Sequence, residues 1–178
     1  MENSSEIRDS LQKAMDILCK AKMFEEKAMV RAQELGLQGE KRRLRYESAK
    51  NHQLINYIKC DSFDVYGFKL ETIQQSITVP EVNSIRQFFE MYLSKIEEQY
   101  DALHALANKL VALNAQHAAC KIYDKCRSLI DDIKYYRRTI LEGSAATWKP
   151  EFIFLHQTTA ENVHDEFEGK EKKVGYDE

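Results

Sequence analysis

Ile122, Cys126, Leu129, Ile133, Tyr136 and Ile140 recur at alternating steps of four and three. That spacing keeps side chains on one face of a helix and is the pattern of a bundle seam. It predicts a helix over residues 117–142 that packs in a bundle. A second strong stripe precedes it. Phe89, Tyr92, Ile96, Tyr100, Leu103, Ala107 and Leu110 fall within about 40° of one line on the helical wheel. It predicts a helix over 81–115, with Pro80 next to its start and Glu81 in its first turn. Asn114-Ala115-Gln116 is the expected turn between the two; it contains no Gly or Pro, so one long bent helix is the alternative.

The chain has only 6 Gly and 2 Pro in 178 residues, so it has few places to break a helix. Gly36 and Gly39 bracket a short turn. Before it, Ile7, Leu11, Ala14, Leu18, Ala21, Met29 and Ala32 share a stripe that predicts a helix over 4–35, capped by Ser4 or Ser5. After it, Leu44, Asn51, Ile55 and Ile58 give a weaker stripe over 39–59. A turn that short forces an antiparallel hairpin. Residues 60–80 mix Phe63, Val65, Tyr66, Phe68 and Ile77 with Asp61, Asp64 and Gly67. They are too apolar for a flexible linker and are expected to cross over along the surface. The expected fold is all-α: a four-helix bundle over 1–142, two antiparallel hairpins joined by a long crossover, with a C-terminal extension over 143–178. In that extension Trp148, Phe152, Phe154 and Leu155 form an apolar segment suited to docking on the bundle or a partner, ahead of a charged end.

Composition narrows the function. The formal net charge of -3, from 26 basic and 29 acidic residues, argues against a dedicated nucleic-acid binder. No run of about 18 apolar residues exists to span a membrane, and the polar start from Met1 to Glu6 does not read as a secretory signal. Cys19, Cys60, Cys120 and Cys126 contain no Cys-x-x-Cys pair, so reduced thiols in the cytoplasm are expected. Nucleophile-elbow, Walker and dinucleotide-binding motifs are absent. Cys19 with His52 and Cys120 with His117 are the Cys–His pairs a fold might assemble.

Leu35-Gly36-Leu37-Gln38-Gly39, Asn56-Tyr57-Ile58, the crossover at 60–79 and Phe88-Phe89-Glu90-Met91-Tyr92 together resemble the ferritin-like four-helix-bundle superfamily over roughly residues 5–142. The resemblance implies inward carboxylates holding two metal ions: a Glu on the first helix, Glu-x-x-His on the second, a Glu on the third, and a carboxylate or Gln on the fourth. The chain departs from that pattern. With His52 as the second-helix His, the Glu position holds Ala49, and the fourth helix offers only Asp131 and Asp132, which lie about 160° and 100° from Ile133 on the wheel. Glu25 and Glu47 stand at similar heights in the first hairpin. The plainer reading, which the rule that buried carboxylates are usually paired favours, has Glu25 paired with Lys22, Arg43 or Arg45, or pointing out at the stripe edge; in the alternative Glu25 and Glu47, with His52, are the candidate metal residues.

Other groupings have plainer readings. Glu97, Asp101 and His104 share a face turned away from the apolar stripe, as a solvated flank would. Tyr92, Tyr100, Tyr123 and Tyr136 read as packing, with a radical relay beside a metal as the alternative. Lys41, Arg42, Arg43 and Arg45, with Arg137 and Arg138, read as solvated or as a docking spot for an acidic partner. The expected function is a non-catalytic ferritin-like module that is structural or binds a protein partner or itself, with no cofactor. The alternatives are an iron or manganese protein that oxidises or stores iron on a variant carboxylate site, and a helical adaptor unrelated to ferritins.

Overall fold

The computed structural model describes residues 2–74 and 76–143. Four helices fill it: α1 (Glu2–Glu34), α2 (Gln38–Tyr66), α3 (Ile85–Ala112) and α4 (Gln116–Glu142). The segment from Trp148 to Leu155, expected to dock, lies outside the described residues, which contain no strand. The chain is an all-α four-helix bundle: α1 pairs with α2, α3 with α4, and the hairpins meet mainly through α1 and α3, more sparsely through α2 and α4.

Three helices end the same way. Gly36, Gly67 and Asn114 adopt left-handed backbone, with φ of 77°, 74° and 61°. In each case the next residue's N–H reaches back into the last turns of the helix: Leu37 to Ala32 O at 2.8 Å and Ala115 to Leu110 O at 2.8 Å, five residues back, and Phe68 to Ser62 O at 3.1 Å, six residues back. This motif satisfies carbonyls that the helix end leaves open. Asn114 performs the glycine's part between α3 and α4, because Asn tolerates left-handed backbone better than most residues. The bent-helix alternative is therefore replaced by a true turn.

Two helix boundaries differ most from the periodicity. α2 runs to Tyr66 rather than stopping at 59. Over its last two turns only Ser62 is buried, while Phe63 and Val65 face solvent. The apolar residues sit on the wrong side, which erases the amphipathic signal although the helix continues. α3 starts at Ile85 because Ser84 caps it: the Ser84 hydroxyl accepts from Gln87 N–H at 3.1 Å, and the Gln87 side chain accepts from Asn83 N–H at 2.8 Å. Pro80 and Glu81 lie in the crossover. At the start, Ser4 and Ser5 fall inside α1 and do not cap it.

The crossover runs parallel to α1, held by α1 side chains on its backbone. Gln12 exchanges two hydrogen bonds with Glu71, at 2.8 and 3.1 Å, Lys27 donates to Ile77 O, and Arg31 Nε donates to Val82 O at 2.8 Å. Leu70 and Val82 anchor it in the core. This path carries the chain from one end of the bundle to the other, so α3 runs antiparallel to α1 and α4 antiparallel to α2.

Candidate functional site

The stripe of α2 turns polar as it approaches the α1–α2 turn. Glu40, Arg43, Glu47 and Asn51 repeat at steps of three and four, and all are buried. They continue the register of Ile55 and Ile58, so the face is one face with two chemistries. On α4 the buried face is wider than the Ile122–Ile140 seam. Lys125, Leu129, Asp132, Tyr136 and Thr139 form a second row at steps of four and three, and all are buried. The polar stretches of α2 and α4 face each other, with Glu25 of α1 and Tyr92 of α3 closing the sides.

Each ion in this centre has an internal answer, as buried charge requires. Lys125 Nζ lies 3.1 Å from Glu47 Oε2. Arg43 Nη2 lies 3.3 Å from Asp132 Oδ1 and its Nε 3.8 Å from Glu40 Oε1. The guanidinium also sits over the Tyr135 ring, 4.4 Å from its centroid, a stacking that suits arginine better than lysine. Tyr136 donates its hydroxyl to Glu40. Asn51 Nδ2 donates to Glu25 Oε1 at 2.6 Å.

Burial, reinforced by Glu47, pushes the Glu25 carboxyl up to about 8 despite Lys125 nearby. Burial with Glu47 beside it pushes Asp132 up to about 7 against the pull of Arg43 and Lys125. Burial alone would lower Lys125; Glu47 and Glu25 more than reverse it and leave it above its ordinary value. At neutral pH Glu25 is therefore mostly protonated, and the two buried cations balance most of the remaining negative charge.

The sequence-level metal candidates separate here. Glu25 and Glu47 do come to the same buried centre and interact electrostatically. His52 does not join them: it is exposed, and its Nε2 lies 3.3 Å from Asn56 on the outer face of α2. The paired reading also changes partners, since Lys22 pairs with Glu26 at 3.6 Å and Glu25 takes Asn51. The donor chemistry does not fit a metal pair. Among the described residues no three His, Cys, Asp or Glu side chains converge as ligands, and the Lys125 ammonium takes up Glu47, one of the two acids such a site would need.

The remaining groupings are also placed. Asp131 is exposed while Asp132 is buried. Glu97 pairs with Arg137, Asp101 is exposed, and His104 stacks on Tyr100 with ring centroids 5.3 Å apart. Tyr92 and Tyr136 are buried and meet edge to face at 4.9 Å; Tyr100 and Tyr123 are half-buried. Cys19 is buried and His52 exposed. His117 takes Asp61, at 3.0 Å, as its partner. Arg43 leaves the expected basic patch for the interior. Among the described residues no helix is long and apolar enough to cross a membrane.

The sequence reasoning missed Glu40 and Lys125 altogether, and named Arg43 and Asp132 without placing them together in a buried centre. The available signal was register: the two α2 residues continue the stripe of Asn51 and Ile55, and the two α4 residues flank the seam on one side. In comparisons with protein-family models and with curated proteins, the chain matches none.

Proposed function

We propose that this protein is a non-catalytic helical-bundle module of ferritin-like arrangement, structural or protein-binding in an assembly. One observation carries the reading. Where a metal-bearing bundle would gather open carboxylates, this one seats Lys125 against Glu47 and Arg43 between Glu40 and Asp132. A divalent ion would have to displace an ammonium and then face a mostly protonated Glu25. Phe63 and Val65, exposed on the last turns of α2, support an interaction role. The free thiols of the four cysteines fit a reducing, cytoplasmic setting.

The test is metal analysis of protein purified without chelators, together with its mass in solution. The reading expects no stoichiometric metal and a defined oligomer or partner complex. About two iron or manganese ions per chain would overturn it, returning Glu25 and Glu47 as ligands.

A further inference from the structure

We propose that the groove between α1 and α3 binds a small amphipathic organic anion, its apolar body against Ile17, Ala21 and Ile96 and its anionic head at Lys20 and Lys95. The space exists because small side chains, Ala21 on α1 and Ala102 on α3, line this seam where larger ones would fill it. The resulting pocket has a volume of about 290 Å³ and lies beside Ile77 and Thr78 of the crossover. That is close to the lower end of ordinary small-molecule sites, about 300 Å³.

The pocket has chemically distinct ends. Its floor is the edge of the buried polar centre, where Glu25 and Tyr92 line it. Burial leaves Glu25 mostly protonated at neutral pH and raises Tyr92 further above its already high ordinary value, so the floor offers hydroxyl groups and little charge. It suits a neutral carbonyl or hydroxyl at the far end of a ligand. Its mouth carries Lys20 and Lys95 against one acid, Glu98. The Lys95–Glu98 pair, at 3.4 Å, is exposed and weak. An excess of positive charge at the rim over apolar walls complements an anionic head, and a cationic ligand would meet two ammonium groups on entry.

The probe is anilinonaphthalene sulfonate, titrated by fluorescence and calorimetry into the full chain at pH 7, with octanoate as competitor. We expect saturable binding of one probe per chain, displaced by octanoate. Ala102→Leu fills the seam and should weaken binding at least about tenfold, or about 1.4 kcal/mol, with an unchanged melting temperature. Ala21→Leu tests the same space from α1 should the first variant melt early. Lys20→Glu with Lys95→Glu should weaken binding about fivefold or more and flatten its salt dependence. Phe63→Ser, which removes an exposed apolar residue on α2 away from the groove, should leave binding as it is. Absence of saturable binding overturns the proposal. So does unchanged affinity in both filling variants, indifference to the two lysines, or loss of binding on Phe63→Ser.

Discussion

Towards the turn between α3 and α4, the helices meet through Leu11, Leu18, Ile55, Ile58, Leu103, Leu110 and Ile122, a conventional apolar core. Towards the turn between α1 and α2, the same four helices meet through Glu25, Glu40, Arg43, Glu47, Lys125 and Asp132, walled by Phe88, Phe89, Tyr92 and Tyr136. Both halves are equally dry, yet they should fail in different ways. Apolar packing degrades in proportion to what is removed. A buried ionic network depends on every member, because a deleted partner leaves an uncompensated charge.

The largest expected effect tests that difference directly. Lys125→Ala removes the closer of the two lysines that pair with Glu47, leaving Lys50 at 3.9 Å, and takes a neighbouring cation from Glu25; it should cost about 3 kcal/mol in urea unfolding. Lys125→Met combined with Glu47→Leu removes both charges, keeps volume, and should lie within about 1–2 kcal/mol of the parent. A double variant as unstable as the single one would mean that Lys125 acts through packing. In the apolar half, Leu103→Ala, at a fully buried site, should cost about 2–5 kcal/mol. No second substitution of a charged group should repair it.

The halves also differ in their response to pH. Glu25 titrates near 8 when folded and Asp132 near 7, against ordinary values of 4.5 and 3.8. Between those limits the folded state holds more protons than the unfolded one. Stability contributed by these two groups is therefore greatest below about pH 4 and falls as pH rises to about 8. Unfolding at pH 5.5 and 8.5 should show the loss. Glu25→Gln keeps an acceptor for Asn51 and should remove part of the slope, stabilising the protein at pH 8.5 more than at pH 5.5. Leu103→Ala should leave the slope intact. An unchanged slope in Glu25→Gln would place the titration elsewhere.

The contrast explains what was legible in the sequence. Hydrophobic periodicity located the bundle, because Ile122 through Ile140 and Phe89 through Leu110 keep apolar residues at helical spacing. It could not locate the polar half, because a pattern made of apolar residues skips Glu40, Arg43 and Lys125 even when they occupy the same register. Glu25 and Glu47 were visible as acids in an inward row, but their partners are set by three-dimensional pairing: Asn51, 26 positions along the chain from Glu25, and Lys125, 78 from Glu47. His52 was carried by a motif comparison, and one helical step from Asn51 was enough to put it on the outside.

The smallest expected effects lie at the turns. A Cβ at Gly36 or Gly67 would meet no atom within 4 Å, so Gly36→Ala and Gly67→Ala probe backbone strain without a clash. Each should cost about 1 kcal/mol, the penalty of placing Ala in left-handed backbone. At the opposite end from Gly36, Asn114 already bears part of that strain. Asn114→Gly should therefore be neutral or stabilise by a few tenths of a kcal/mol, less than the glycine substitutions cost, since glycine also gains freedom in the unfolded chain. A loss above about 1 kcal/mol for Asn114→Gly would mean that the Asn side chain itself holds the α3–α4 turn, and that this end of the bundle, too, depends on a specific polar contact.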